Sequence, residues 1–176
     1  MLNCNLEKTV RPNILYLQNL FGSEAIVFRV FKSTPQILVN SNMPECLEKK
    51  LKLLENFGLL ENEIKELCMR NPVILNVHID KMQKIRDFLI HEGLPAKFIL
   101  TCPLVLAFSL ESRIKPRHRV LTSISEMQYS RGFPNLNSAF YLSDAKFLQK
   151  YVNCSPHATE LLEIYRGKPV GLDIIQ

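Results

Sequence analysis

Apolar positions along this chain recur at helical spacing. Leu47, Leu51, Leu54 and Gly58 are separated by four, three and four positions. Ile79, Met82, Ile85 and Leu89 are separated by three, three and four. Both spacings put apolar side chains on one stripe of an α-helix. Gly58 and Gly93 fall just past these stripes, where a helix end takes a left-handed conformation that suits Gly. A second, shorter helix is predicted after each such glycine, over about Glu24 to Lys32, Asn62 to Arg70 and Ala96 to Leu100. A proline then ends it, because Pro lacks the amide that the next helical turn needs, and the residue before it turns extended.

The same words return in the same order. Pro35-Gln36-Ile37-Leu38, Pro72-Val73-Ile74-Leu75 and Pro103-Leu104-Val105-Leu106 share one pattern, with prolines 37 and 31 positions apart. Gly22, Gly58 and Gly93 precede them. A third word reads Leu6-Glu7-x-x-Val10, Leu47-Glu48-x-x-Leu51, Ile79-Asp80 and Leu110-Glu111-x-x-Ile114. Each repeat therefore reads as a long helix, Gly, short helix, Pro turn and an apolar wedge for the neighbouring repeat. Such a repeat cannot bury its apolar face alone, so stacking must complete the core. The expected fold is an all-α solenoid, with repeats at about 5–42, 43–78 and 79–109. Phe28-Arg29-Val30-Phe31 has local β character but occupies a helical slot.

Beyond the third repeat the pattern changes, and 110–176 reads as a last helix, an irregular loop and a C-terminal helical cap. Leu110 to about Ile124 is predicted as a long helix with Ile114 and Leu121 facing the core. Ser125 to Leu142 is polar, holds Gly132, Pro134 and Asn137, and reads as the loop. Ser143-Asp144 and Ser155-Pro156 are helix-start signals. They open short helices at about 144–152, carrying Phe147, Leu148 and Tyr151, and at about 156–165, carrying Leu161, Leu162 and Tyr165. Gly167-Lys168-Pro169 stops the last one.

Composition narrows the chemistry. A chain of 176 residues with 47% hydrophobic residues is too apolar for a disordered tail and long enough for a packed core. Five scattered cysteines (Cys4, Cys46, Cys68, Cys102, Cys154) make an odd set that suits a reducing compartment, and Cys102 reads as core. No apolar run reaches the roughly 20 residues of a membrane span. The first 20 residues resemble neither a secretory signal nor a transit peptide. Metal-ligand spacings, nucleophile elbows, Gly-rich phosphate loops and paired carboxylates are missing from the sequence, so neither metal, cofactor nor catalysis is expected.

With 22 Lys+Arg against 17 Asp+Glu the net charge is +5, which allows a polyanionic partner. Two sets of basic residues stand out. Arg113, Lys115, Arg117, His118 and Arg119 form the densest run; it reads as a phosphate clamp or as a solvated helix face, with Arg113 and Arg117 sharing a side. Arg29, Lys32 and Arg70 approach the repeat prolines, where equivalent places align into a basic track; the third repeat has Thr101 there, so the track is broken. Lys49, Lys50 and Lys52 lie among Glu45, Glu48 and Glu55 and read as solvated. Phe28, Phe31 and Phe57 fall at helix-period positions and read as core rather than as base-stacking platforms.

Ser109-Leu110-Glu111-Ser112-Arg113-Ile114-Lys115-Pro116-Arg117, placed after Pro103-Leu104-Val105-Leu106, resembles the mitochondrial transcription termination factor (mTERF) family in its plant form. Asn71-Pro72-Val73-Ile74-Leu75, Lys146-Phe147-Leu148-Gln149-Lys150-Tyr151-Val152 and Leu161-Leu162-Glu163-Ile164-Tyr165 are similar too. The resemblance implies a non-catalytic helical-repeat protein of mitochondria or chloroplasts. It implies binding of DNA or RNA along a basic groove, in transcription termination or regulation or in RNA processing such as intron splicing. Other organelle gene-expression proteins are implied as further partners; the chain is expected to be a monomer away from membranes. With three full repeats it reads as the C-terminal part of a longer member or a shortened copy. Its first repeat, lacking a polar cap, is expected to expose apolar surface. The rival reading is a protein-interaction scaffold without nucleic-acid affinity.

Overall fold

The apolar stripes become helices in a computed structural model of the chain, which describes residues 6–127 and 135–167. The described residues contain helices and turns but no strand, so the fold is all-α. The readings on Cys4, Gly132, Pro134, Lys168 and Pro169 lie outside the described residues. The chain divides into two compact units, residues 1–107 and 108–176.

In the first unit, α1 (Arg11–Phe21), α2 (Glu24–Ser33) and the short α3 (Gln36–Val39) form the first repeat. The second comprises α4 (Met43–Asn56), α5 (Glu61–Arg70) and a tight 3₁₀ turn, Pro72–Asn76. The third comprises α6 (Ile79–His91), α7 (Phe98–Thr101) and the 3₁₀ turn Pro103–Leu106. Gly22, Gly58 and Gly93 sit at φ 70°, 97° and 70°, the left-handed region expected past each long helix. Phe28-Arg29-Val30-Phe31 is helical, within α2. The third short helix covers Phe98–Thr101 rather than 96–100, because Ala96 and Lys97 lie in a tighter turn, with Phe98 N donating to Pro95 O (2.8 Å) and Ile99 N to Ala96 O (3.2 Å), each three residues back.

The wedge residues are buried in every repeat: Ile37 and Leu38, Ile74 and Leu75, Val105 and Leu106. The turn Pro72–Asn76 packs on α2 and α3 behind it and on Pro103–Leu106 ahead, so the apolar pair does lie between neighbouring repeats. Met82, Ile85 and Leu89 are buried on α6, as are Leu47 and Leu54 on α4. Phe57, Cys68 and Cys102 are core. Phe28 and Phe31, expected there too, are instead 66% and 48% exposed. On α2 the buried stripe is Val27 and Val30; Phe31 flanks it, and Phe28 lies further round towards solvent.

Each repeat also carries one polar clasp. Asn13 Nδ2 donates to the carbonyls of Leu38 (2.8 Å) and Asn40 (2.9 Å). Lys50 Nζ donates to the Leu75 carbonyl (2.5 Å), and Lys81 Nζ to that of Ala107 (2.6 Å). Asn13, Lys50 and Lys81 each stand 22 positions ahead of their own repeat's proline. The wedge turns end with carbonyls that no following helical amide satisfies, and the long helix supplies the missing donor. Lys50, read as part of a solvated run, is thus half-buried, and burial pulls its ammonium below the ordinary lysine range.

The second unit opens on a wide π-helical turn, Leu110–Ile114, continued by α8 (Lys115–Glu126). Ile114 N donates to Ser109 O across five residues (3.0 Å). Pro116, in the first turn of α8, can neither donate backwards nor tolerate the carbonyl four residues before it, so the helix widens there instead of stopping. A like turn, Leu6–Val10, precedes Pro12 in α1. The segment read as a loop contains a helix, α9 (Leu136–Tyr141), with Ala139 and Phe140 fully buried. Asn135 caps it by accepting from Ser138 N, so the residue read as irregular is a helix start.

Ser143 caps α10 (Asp144–Phe147), which relaxes into a second wide turn, Leu148–Asn153. The last helix, α11 (Ala158–Arg166), begins two residues later than Ser155-Pro156 predicts, because Ser155 Oγ accepts from His157 N and holds a turn there. Gly167 (φ 77°) ends it. Val120, Leu121, Phe147, Val152, Leu161 and Ile164 form the core of this unit.

Candidate nucleic-acid interface

The first unit gathers one basic cluster. Arg29 and Lys32 are exposed on neighbouring turns of α2, and Arg70 is exposed at the end of α5. Arg29 Nη1 lies 3.4 Å from the Met69 carbonyl, which sets its guanidinium beside Arg70 across two repeats. Arg70 shares its charge with Glu66 one turn back (2.6 Å), an exposed pair that a phosphate can displace at little cost. Glu66 and Arg70 are 54% and 73% exposed, so water already screens them.

The run in the second unit is split by its helix. Arg119 is exposed and packs its guanidinium over Gly167 at the end of α11, within 3.4 Å of where a Cβ there would lie. Lys115 pairs with Glu111 (2.6 Å), at 37% exposure for the lysine. Arg113 is half-buried, its guanidinium 4.7 Å from the ring centre of Phe108. That stacking leaves the edge of the planar fork for a further acceptor.

Arg117 departs from the sequence reading. It is fully buried. Its Nη1 donates to the carbonyls of Ala139 (2.8 Å) and Phe140 (3.0 Å), its Nη2 to Asp144 Oδ1 (2.5 Å), and its plane lies 4.9 Å from the Phe147 ring centre. It cannot reach a phosphate. A spacing of four from Arg113 puts both on one side, but Arg117 also lies three residues past Ile114 and four before Leu121, in the middle of the buried stripe of this helix, while Arg113 stays at its rim. Like the three clasps, Arg117 reaches from a long helix to carbonyls of a later short element, here 22 and 23 positions on. Its place between Ile114 and Leu121 on the apolar stripe was the signal by which it could have been told from a surface cation.

Asp144 is 60% exposed, and its hydrogen bond from Arg117 holds its carboxyl below the ordinary aspartate range. Tyr165 lies 3.4 Å from the same oxygen, and burial pushes its hydroxyl up. A carboxyl lowered in the folded state contributes stability above its unfolded pKa, and that contribution is lost as pH falls through the folded value. Asp144→Asn is therefore expected to flatten the acid limb of the stability curve below about pH 4, measured as urea midpoints against pH. An acid limb identical to that of the parent chain would refute the coupling.

His78, His91, His118 and His157 remain scattered, and among the described residues no group of three His, Cys, Asp or Glu side chains could hold a metal ion. No described helix is long and apolar enough to cross a membrane.

Comparison with known proteins agrees with the repeat pattern. The mTERF family model matches residues 1–148. The chain is 29% identical over 116 residues to "Transcription termination factor 3, mitochondrial" of Drosophila melanogaster, covering 65% of this chain and 32% of that protein. It is 27% identical over 154 residues to "Transcription termination factor MTEF18, mitochondrial" of Arabidopsis thaliana, covering 85% of this chain and 26% of that protein. The chain thus spans about a third and about a quarter of the lengths of these two relatives. No solved structure matches it. From the family match over most of its length, and from helical repeats that end in the same buried wedge, the chain belongs to the mTERF family.

Proposed function

We propose that this chain is a non-catalytic nucleic-acid-binding module that acts in organelle gene expression, in transcription termination or its regulation. The observation that carries the reading is the exposed cluster of Arg29, Lys32 and Arg70, gathered from two repeats in the first unit. Arg113, Lys115 and Arg119 supply a second set of phosphate contacts, and Arg117 takes no part. Guanidinium forks and ammonium groups on helix surfaces recognise phosphate oxygens without reading bases, so the ligand is DNA or RNA held by its backbone. Both curated relatives are named as mitochondrial, which favours the mitochondrion as the compartment.

The test is a fluorescence-anisotropy titration against duplex DNA and single-stranded RNA over a series of salt concentrations. About five neutralised phosphates give a log–log slope of about −4 to −5 on duplex DNA. Arg29→Ala and Arg119→Ala are each expected to reduce the slope by about one. A folded, helical chain that binds neither polymer at low salt would overturn the reading.

A further inference from the structure

We propose that Cys46 and Lys50 form an acyl-accepting pair: the thiol takes a short acyl group from an acyl thioester and passes it to the amine, which makes Lys50 a modification site. This goes beyond the nucleic-acid reading and does not depend on it.

Geometry carries the proposal. Cys46 and Lys50 stand four apart on α4 and so share one side of the helix. Both line one cleft of about 50 Å³, where α4 meets the wedge turns of the first and second repeats. Lys50 Nζ is anchored at its wall, donating to the Leu75 carbonyl (2.5 Å). Cys46 is exposed and lies within electrostatic reach of the Lys50 ammonium. A thioester can therefore reach the sulfur from solvent, and the sulfur can hand the acyl group to the nitrogen inside the cleft. Cys68 is also near Lys50, but it is buried, and burial pushes its thiol up to about 12, so it keeps its proton and stays inert.

The amine is suited to its part. Lysine attacks only as the free amine, and burial pulls the Lys50 ammonium below the ordinary lysine range. A neutral amine still gives one N–H to the Leu75 carbonyl and leaves its lone pair for the cleft. The adjacent Lys49 is different: the Glu45 carboxylate (2.6 Å) holds it as an ammonium, above the ordinary range. The Gln36 and Asn76 amides line the same cleft and carry N–H donors for the charge that forms on the acyl oxygen.

Two steps complete the transfer. The Cys46 thiolate attacks the acyl carbon, the bond from that carbon to the carrier sulfur breaks, and the carrier leaves as a thiol with a proton from water. The Lys50 lone pair then attacks the same carbon. Cys46 leaves as a thiolate and takes the proton that the new amide nitrogen gives up. One thioester and one amine thus become one thiol and one amide, with no change of oxidation state.

The third repeat supplies an internal control. Lys81 holds the same place there, partly buried and donating to the Ala107 carbonyl (2.6 Å). Four positions before it stands Val77 rather than a thiol. The test incubates the full chain with acetyl-coenzyme A and follows each acetylated lysine by peptide mass spectrometry. Lys50 is expected to react at least about tenfold faster than Lys81 and than Lys52, an exposed lysine of α4. Cys46→Ser, a change at an exposed position, is expected to slow Lys50 about tenfold and to leave Lys52 and Lys81 unchanged. Lys50→Arg keeps a donor for the Leu75 carbonyl and is expected to stop the acyl group on Cys46, from which hydroxylamine releases it. Circular dichroism checks that both variants keep the parent's helicity. A Lys50 rate no higher than those of Lys81 and Lys52 would overturn the proposal. So would a Lys50 rate that Cys46→Ser leaves unchanged, which would mean that the amine is acylated without the thiol.

Discussion

Arg117→Met is expected to lower the stability of the chain by about 3 kcal/mol. The guanidinium is fully buried, and its removal leaves the carbonyls of Ala139 and Phe140 without their donor. Each buried orphan costs about 1–3 kcal/mol, whereas the exposed Asp144 returns to water at little cost. Met retains most of the stem's packing on Phe147, so the loss reports on the hydrogen bonds rather than on a cavity. Arg117→Lys keeps the charge but offers one compact ammonium to three acceptors set out for a planar fork, and about half the loss is expected. Urea unfolding followed by circular dichroism measures both variants. The same variant should leave the salt slope of nucleic-acid binding unchanged. Native-like stability together with a reduced slope would place Arg117 at the surface and return it to the phosphate contacts.

The contrast between Arg117 and the wedge residues shows what was legible in the sequence. Helix positions, repeat boundaries and the buried Ile-Leu pairs follow from apolar spacing and proline, which act locally. Arg117 is misread when its spacing of four from Arg113 is weighed and its place on the apolar stripe, between Ile114 and Leu121, is not. Phe28 and Phe31 mislead for a related reason. Periodicity identifies a stripe, and on α2 Val27 and Val30 hold it, leaving the rings outside. Helix α9 escaped notice because six residues are too few for a periodic signal. The basic candidates were readable as residue types, but their grouping was not. That Arg29 meets the end of α5 is a tertiary fact, fixed by how α2 packs on the wedge turn of the next repeat.

The clasps and the wedge are parts of one device. A single short turn, α3 in the first repeat and a 3₁₀ turn in the next two, gives the wedge its abrupt shape, but it leaves carbonyls at its end beside an apolar interface. Asn13, Lys50 and Lys81 close them from the preceding long helix, and Arg117 does so for the carbonyls of α9. The donor side chain differs from case to case, while its source, the long helix ahead, does not. What recurs is thus a demand for a hydrogen bond, which a short amide, a lysine or an arginine can each meet according to the distance.

Ile74→Ala is expected to cost about 3 kcal/mol and Val73→Ala about 0.5, although the two residues are adjacent and both apolar. In the turn Pro72, Ile74 and Leu75 are buried, and Val73 lies on the solvent side. Ile74 is 1% exposed and Val73 40%. The same alternation holds in the other repeats: Gln36 is exposed and Leu104 partly so, while Ile37, Leu38, Val105 and Leu106 are buried. Because Pro72–Asn76 packs on α2 and α3 behind and on Pro103–Leu106 ahead, the cavity left by Ile74→Ala opens where two neighbouring repeats meet, where neither can collapse without moving the other. The urea midpoint should fall with an unchanged slope against denaturant, since the folded and unfolded surfaces stay nearly the same. An Ile74→Ala cost no larger than that of Val73→Ala would show that the wedge is not seated between the repeats in solution. The packing order of the first unit would then need to be redrawn from the proline words outward.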